Sequence, residues 1–386
     1  MVKQKFGRTQ SYARAVNNEL VIEQLRERDY SATDLAENLC LSHATISSIL
    51  KGLLDKGIIK ISYSISKAGK GRKQVYYSLD EDYGIIIVVS LSDNRYNITI
   101  SNIKEKVLYR EEKEIERYDV AIIYELVLHL KRILAKDSLN NILLRNIIIA
   151  VPGRVNSVTN ELQLSKHFDR DLFYGKNNIR TIFENHFDTP VMMENDINLS
   201  IIGEMKSGCL TGVENAMLVY IDNGMGGALL INGKFYGGSS GYAGEIGLMQ
   251  CDFNGQSSYL DEFASLRSIK EYAKSKFGQT FKVDGLVEEY KKKGELYNYI
   301  NETARLVGRK LRDIIEILNV STIVISGRVV LFGEDYLNCI REETNKSQNE
   351  CLIQFSQLVN NSKLIGAMSK SVDNSIPHLA RATVKI

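Results

Sequence analysis

Residues 216–238 read AMLVYIDNGMGGALLINGKFYGG, two apolar runs joined by a glycine-rich turn. Short apolar runs bounded by turn residues are typical of buried strands. Glycines in a turn of this kind let the backbone approach a phosphate group closely. The segment therefore has the pattern of a phosphate-binding turn between two strands, although Asp222 and Asn223 occupy its first two positions.

Similar apolar runs lie on both sides of this segment. They cover residues 84–92, 96–103, 146–155 and 320–330. Amphipathic helices are predicted between them, at 119–136 and 299–318. Strands rich in Ile and Val that alternate with helices predict an α/β fold whose sheets are covered on both faces. We expect two α/β lobes with a cleft between them.

Length and composition narrow the class of protein. A chain of 386 residues with 44% hydrophobic content predicts two or three domains with well-buried cores. We find no charged and apolar leader and no apolar run of about 18 residues, so we expect a cytoplasmic protein with no membrane span. The five cysteines contain no CxxC pair, and we predict neither disulfides nor a cysteine-rich zinc site.

Charge is distributed unevenly along the chain. The net charge is +2, but residues 1–80 contain 13 basic and eight acidic residues, a net charge of +5. The remaining residues therefore carry a net charge of −3. A basic segment of this kind favours contact with nucleic acid.

The basic segment has the pattern of three helices and two strands. Apolar spacing predicts a first helix over residues 17–28. Ser31 and Ser42 are predicted to cap the second and third helices, and Gly57 to end the third. Residues 57–64 and 74–80 alternate as two strands. This order predicts a helix-turn-helix followed by a two-stranded wing.

Polar and basic side chains in this segment are suited to DNA. The predicted solvent face of the third helix offers short polar groups for base edges and phosphates in a major groove, namely His43, Thr45, Ser47, Ser48 and Lys51. The wing adds Lys67, Lys70, Arg72 and Lys73, and the N-terminal arm adds Lys3, Lys5, Arg8 and Arg14. These cations would displace counterions from the DNA backbone. We predict binding to double-stranded DNA, and the alternative is a winged helix that docks on a protein.

Four stretches of the remaining chain share the order and spacing of one family. They are AVPGRV at 150–155, ENDINLSIIGE at 194–204, DNGMGGALLINGKFYGGSSGYAGEIGLM at 222–249 and YLDEFAS at 259–265. Behind a winged helix they resemble the ROK family of repressors, open reading frames and sugar kinases, over essentially the whole chain. The resemblance implies a winged helix-turn-helix at 1–80, followed by the two-lobed actin-like ATPase (ribonuclease-H-like) sugar kinase fold. Its lobes would cover 81–198 and 199–386, with the last helix returning to the first lobe.

The resemblance also implies a sugar site in the cleft. In the family's kinases the Asp of the Asn-Asp pair is the general base, so Asp196 is its relic here, with no catalytic residue expected. The implied sugar-binding residues are Gly153, Asn195, Asp196, Glu245 and Asp261. Glu262 replaces Asp261 if the alignment moves by one residue, and Leu248 stands where the family has a histidine. From the residues alone, Asn195-Asp196 is alternatively a helix cap.

The phosphate loops of the family's kinases are altered in this chain. The first corresponds to SLSDNRY at 90–96, which has no glycine. In the second, Asp222 replaces a Gly and Asn223 replaces a Thr, and we expect the Asp222 carboxylate to repel a phosphate. Ser326 replaces a Gly of the adenosine region. We therefore predict a protein that is not an enzyme and has no cofactor. A zinc site needs several Cys or His ligands, and Cys251 has no neighbouring Cys or His, so we also predict no metal.

These inferences predict a DNA-binding transcriptional regulator. We expect a repressor of carbohydrate-metabolism genes that responds to a sugar or sugar derivative in the cleft. Two-fold pairing would place two copies of the N-terminal segment (residues 1–80, called here the head) on one operator. A homodimer is therefore expected, with a tetramer as the alternative. Two other hypotheses remain: a regulator with an inert pocket controlled by a protein partner, and a ROK sugar kinase.

Overall fold

The computed structural model describes residues 10–65, 73–136, 139–140 and 142–382. Its first elements are α1 (Gln10–Glu27), β1 (Tyr30–Ser31), α2 (Ala32–Asn38), α3 (His43–Asp55), β2 (Ile59–Ile65) and β3 (Gln74–Leu79). The three strands form an antiparallel sheet in the order β1-β3-β2. Ser31 and Asp34 form a reciprocal capping box at the start of α2, and Ser42 caps α3. The predicted caps are confirmed, whereas α1 begins seven residues earlier than predicted, because residues 11–14 are exposed and contribute no apolar stripe.

The first lobe of the body is built on a five-stranded sheet. Its elements are β4 (Ile85–Ser92), β5 (Arg95–Asn102), β6 (Val107–Glu114), α4 (Val120–Leu134), β7 (Leu144–Val151), β8 (Arg154–Asn156), β9 (Glu161–Leu164), α5 (Ile179–Glu184) and β10 (Val191–Asn195). The strand order is β10-β7-β4-β5-β6. β7 is parallel to β4 and β10, and β4, β5 and β6 form an antiparallel meander. We did not predict β6 from the sequence, because its side chains are mostly exposed and charged.

The second lobe repeats this topology. Its elements are α6 (Asp196–Ser207), β11 (Ala216–Ile221), β12 (Met225–Ile231), β13 (Lys234–Tyr236), β14 (Gln250–Phe253), β15 (Gln256–Tyr259), α7 (Leu260–Ala264), α8 (Leu266–Phe277), α9 (Val283–Lys291), α10 (Glu295–Leu318), β16 (Thr322–Ser326), α11 (Glu334–Thr344), β17 (Leu352–Phe355) and α12 (Ser362–Arg381). The sheet order is β13-β12-β11-β16-β17. Here too an antiparallel meander lies on one side of the central strand and two parallel strands lie on the other. The predicted α/β class is confirmed.

Helix α12 leaves the second lobe and packs on α6, on strands β4 and β7, and on α1. Gly203 of α6 and Gly366 of α12 let the two helix backbones approach closely: a Cβ on Gly366 would lie 1.8 Å from the Leu199 carbonyl oxygen. One buried apolar cluster joins α1, α12 and β4, and it includes Val21, Ile22, Leu25, Ile86, Val88, Ile376 and Leu379. The N-terminal elements therefore share a core with the first lobe.

None of the helices that the structure describes has both the length and the apolar character needed to cross a bilayer.

Candidate functional site

Helix α3 presents two different faces. Ile46, Ile49, Leu50 and Leu53 are buried against α1 and α2. The opposite side exposes His43, Ser47, Ser48 and Lys51. Thr45 is half-buried, and its hydroxyl lies 2.9 Å from that of the capping residue Ser42. Four of the five polar residues predicted on this face are thus free of the head's core.

Several predicted DNA contacts lie in parts of the chain that are not described. Lys73 and Arg14 are exposed. Lys3, Lys5, Arg8, Lys67, Lys70 and Arg72 lie outside the described residues. The cationic tip predicted between β2 and β3 therefore stays a prediction.

The cleft residues follow the carboxyl ends of parallel strands. Asp93 follows β4, Gly153 follows β7, Asp196 follows β10, Asp222 follows β11, and Arg328 follows β16 by two residues. Ligands of open α/β sheets bind at such ends, because the loops there converge. The two sheets thereby bring together residues that are far apart in the sequence.

The Asn195 side chain is occupied by backbone groups. Its Oδ1 accepts from the backbone nitrogens of Ile197 at 2.8 Å and Asn198 at 3.1 Å, which caps α6. Its Nδ2 donates to the Gly153 carbonyl oxygen at 2.8 Å. Gly153 itself has no room for a side chain, since a Cβ would lie 2.5 Å from the Leu164 carbonyl oxygen. Asn195 therefore forms the helix cap and also holds the Gly153 turn.

Asp196 is the first residue of α6 and is mostly buried, with 18% of its side chain exposed. The Nζ of Lys363, on α12, lies 3.6 Å from its Oδ2. Burial raises the pKa of the Asp196 carboxyl above its usual value, and Lys363 offsets this only in part. Lys363 was not predicted from the sequence, because only the packing of α12 on α6 brings it to Asp196.

The other two predicted carboxylates are also paired with cations. Arg154 Nε donates to Glu245 Oε1 at 3.0 Å, and its guanidinium lies 5.7 Å from the Tyr242 ring centre. Asp261 Oδ1 accepts from the Met225 backbone nitrogen at 2.7 Å, and its Oδ2 accepts from Arg267 at 2.6 Å.

Two further positions that the family resemblance singled out are exposed, the alternative carboxylate Glu262 and the substituted position Leu248. Glu262 is 52% exposed and also lies 3.3 Å from Arg267. The side chain at Leu248, where the family has a histidine, is 48% exposed. Asp261, by contrast, contacts the turn between β11 and β12, so the structure favours it over Glu262 as the inward-facing carboxylate.

The two segments that the sequence predicts to be altered phosphate loops contact each other. Asn223 Nδ2 donates to Asp93 Oδ2 at 3.0 Å, and Lys270 Nζ donates to Asn223 Oδ1 at 3.0 Å. His167 Nδ1 lies 3.3 Å from the other Asp93 oxygen. Burial, followed by repulsion from Arg328, lowers the pKa of Lys270. Side chains from both lobes thus form one polar network, called here the interlobe network (Asp93, His167, Asn223 and Lys270).

Asp222 does not act as the isolated charge that the sequence suggested. The Arg328 Nε donates to Asp222 Oδ2 at 2.8 Å and to Oδ1 at 3.0 Å, and a second guanidinium nitrogen also contacts Oδ1. A partner distant in sequence therefore compensates the charge of Asp222, and the repulsion of a phosphate by this carboxylate stays a prediction.

Across residues 10–65, 73–136, 139–140 and 142–382, no group of three or more His, Cys, Asp or Glu side chains could hold a metal ion. Cys251 is buried among apolar residues of the second lobe, and this burial raises the pKa of its thiol.

Two sheets of the same topology that flank a polar cleft define the actin-like sugar-kinase type of α/β fold. The model of the ROK family matches residues 87–370, and the chain belongs to the ROK family. It is 26% identical to the xylose repressor of Staphylococcus xylosus over 88% of this chain and 86% of that protein.

Solved structures agree with this assignment. A ROK family transcriptional regulator, described as a homolog of the E. coli MLC protein, superposes with a TM-score of 0.82 at 17% identity, over 96% of this chain and 99% of its own. A ROK family glucokinase from Streptomyces griseus, solved with glucose and AMPPNP, has a TM-score of 0.60 at 20% identity, over 75% and 99%. At these identities the two structures support the fold alone.

Proposed function

We propose that this protein is a DNA-binding transcriptional regulator, a repressor of carbohydrate-metabolism genes that responds to a sugar or sugar derivative. The observation that carries this proposal is a basic N-terminal segment in which α3 buries its apolar face and exposes His43, Ser47, Ser48 and Lys51. The similarity to a xylose repressor over most of both chains supports the same conclusion. A regulator of this kind acts in the cytoplasm on double-stranded DNA.

The N-terminal segment is proposed to be a winged helix-turn-helix. Helices α2 and α3 provide the helix-turn-helix, and strands β2 and β3 provide the wing. In this arrangement the exposed face of α3 reads base edges in the major groove. Lys51, Lys70, Arg72 and Lys73 contact phosphates. The proposed domains are 1–80 for the head and 81–198 and 199–386 for the lobes.

The proposed effector site contains Gly153, Asn195, Asp196, Glu245 and Asp261. Carboxylates are suited to sugars because each hydroxyl can donate to them, and an analogue without that hydroxyl leaves a buried acceptor unpaired. The oxygens best able to accept are those of Asp196 and Glu245, since Asp261 already accepts from Met225 and Arg267. A bound sugar would share these two carboxylates with Lys363 and Arg154.

A regulator with an inert pocket is the second candidate. The observation that favours it is that Asp196, Glu245 and Asp261 each have a cationic partner within the protein. In that case a protein partner, and not a sugar, controls occupancy of the operator. A homodimer is proposed in both cases, with a tetramer as the alternative.

Sugar kinase activity is not proposed. A kinase requires loops that hold ATP in line with the attacking hydroxyl. At the corresponding positions Asn223 contacts Asp93 and Asp222 contacts Arg328, so protein groups occupy the space around the turn. Asp196 is the relic of a general base, and it is paired with Lys363.

Two measurements on the full-length protein test the proposal. Fluorescence anisotropy with duplexes selected from random sequence is expected to show salt-dependent, sequence-specific binding. Absence of specific binding would refute the proposal that the protein is a DNA-binding regulator.

Thermal shift with D-xylose, D-glucose, N-acetylglucosamine and its 6-phosphate is expected to give one ligand that stabilises the protein by about 2.7 kcal/mol at 100 times its Kd. The shift should vanish in Asp196→Ala. DNA binding without any ligand shift would favour the inert pocket.

A further inference from the structure

Helix α12 contacts both the proposed effector site and the proposed DNA-binding head. Lys363, at its start, pairs with Asp196. Asp373 and Ala380, further along, contact α1 through Arg26 and Asn18. At a rise of about 1.5 Å per residue, Lys363 and Ala380 are separated by about 25 Å along the helix axis.

The first half of α12 is fixed rigidly to α6, the helix that begins with Asp196. Gly203 and Gly366 remove the side chains between the two backbones, and a Cβ on Gly203 would lie 1.9 Å from the Ser362 carbonyl oxygen. Lys370 forms a second ion pair with Glu194, the residue before the Asn195 cap. Because packed interiors do not deform continuously, a displacement at the start of α6 is expected to move as a unit the part of α12 that precedes Pro377, which includes the Arg26 partners Ser369 and Asp373.

The second half of α12 holds the head through a buried guanidinium. Only 9% of the Arg26 side chain is exposed, although the residue lies on the surface helix α1. One terminal nitrogen pairs with Asp373, and the other lies 3.1 Å from Ser369 Oγ. Arg26 Nε donates to Glu105, in the turn between β5 and β6, at 3.0 Å. Asn18 Nδ2 donates to the Ala380 carbonyl oxygen at 2.9 Å.

Arg26 therefore has partners on α12 and on the first lobe at the same time. A buried guanidinium is strongly destabilised when it loses its partners. A rotation of α12 relative to the first sheet would separate Asp373 from Glu105, and Arg26 could then keep only one of them. The position of α1 thus depends on where α12 lies.

We propose that Lys363 is a positioning residue that links occupancy of the Asp196 carboxylate to the head through α12 and Arg26. The proposal rests on the proposed function and specifies how the effector site regulates DNA binding. A hydroxyl that donates to Asp196 competes with Lys363 for the carboxylate, and α12 then adopts a different position relative to α1. Coupling of this kind requires a contact that differs between the two states, and the Asp196–Lys363 pair is that contact.

Amide hydrogen exchange of the full-length protein tests the link without DNA or sugar. The variants are Lys363→Gln, Lys363→Arg and, as a matched control, Lys310→Gln. Lys310 lies on α10, is 23% exposed against 24% for Lys363, and pairs with Asp313 at 3.5 Å. Lys363→Gln should raise the exchange rate of amides in residues 18–27 at least threefold, while residues 295–318 stay unchanged. Lys363→Arg should retain the wild-type exchange rate in residues 18–27, and Lys310→Gln should leave the exchange rate of those residues unchanged.

Linkage requires the reverse effect as well. Arg26→Gln should raise exchange in residues 196–203 at least threefold. The proposal is overturned if the Lys363→Gln protein, folded by circular dichroism, exchanges like wild type at residues 18–27. It is also overturned if exchange rises equally in residues 295–318, since that is a loss of global stability. Failure of the proposed function would appear separately, as absence of specific duplex binding in the wild-type protein.

Discussion

The Asn223 side chain donates to the Asp93 carboxylate at 3.0 Å and so joins the two lobes of the body. Asp93 follows β4 of the first sheet and Asn223 follows β11 of the second. These are the two places where the sequence suggested altered phosphate loops. A hydrogen bond between protein groups therefore connects the loops across the cleft, and the contribution of this bond can be measured.

Asn223→Ala should lower the free energy of unfolding by about 1–2 kcal/mol, because it removes hydrogen bonds to Asp93 and Lys270, both of which carry charge. Chemical denaturation measures the change. Asn298→Ala, at an exposed position of α10, is the control and should change stability by less than about 0.5 kcal/mol. Equal effects of the two substitutions would contradict a stabilising interlobe network.

Arg26→Ala should destabilise the protein by about 2–3 kcal/mol. The substitution removes charge-assisted hydrogen bonds to Glu105 and Asp373 from a mostly buried site. Arg95→Ala removes an exposed ion pair with Glu112 and should cost less than about 1 kcal/mol. Urea unfolding of both variants provides the comparison, and a smaller effect at Arg26 than at Arg95 would contradict a stabilising role of the Arg26 contacts.

Asp196→Asn should stabilise the protein at neutral pH and have less effect in acid. Burial raises the folded pKa of Asp196, so between the unfolded and folded pKa values the folded chain binds more protons. The free energy of unfolding contributed by this group is therefore fully present below the unfolded pKa and is lost as pH rises through the folded pKa. Thermal unfolding from pH 4 to pH 8 measures it. The Tm difference between variant and wild type should grow with pH, and a difference that is the same at all pH values would contradict the prediction.

Gly366→Ala should be among the most damaging substitutions outside the cleft. A Cβ there meets the Leu199 carbonyl oxygen at 1.8 Å, so α6 and α12 must separate. Overpacking of this kind typically lowers the free energy of unfolding by about 1–3 kcal/mol, and occasionally by more. Gly285→Ala, within α9, meets only the Phe281 ring at 3.4 Å and should stabilise by about 0.5–1 kcal/mol. Thermal unfolding separates the two outcomes, and tolerance at Gly366 would argue against tight helix contact.

Two substitutions in the head should have different effects on DNA binding. Lys73→Ala should weaken binding to every duplex and reduce the slope of log K against log salt by about one, because one phosphate contact is lost. Ser47→Ala should leave that slope unchanged and relax the preference at one base pair. Anisotropy titrations at several salt concentrations test both. Lys291→Ala, exposed on α9, is the control for a change of net charge alone. If it weakens DNA binding as much as Lys73→Ala does, the wing does not contact DNA.

The sequence determined the local structure of this protein and the order of its elements. Ser31, Ser42 and Gly57 mark helix ends because their signals act over three or four residues, and the structure confirms them. The long Ile and Val runs likewise predicted the central strands. Strand β6 escaped prediction because its residues are mostly exposed and charged, and the first turns of α1 escaped it because residues 11–14 are exposed and add no periodic apolar signal.

Only the tertiary structure decided how the charged residues of the cleft are paired. The sequence named Asp196, Glu245 and Asp261 but not Lys363 or Arg154, and it left Asp222 without its partner Arg328. Such pairs join positions about 90 to 170 residues apart, and nothing near either residue in the sequence encodes the other. They form because parallel strands end at one edge and α12 returns across the lobes, so the packing of distant elements sets the electrostatics of the cleft.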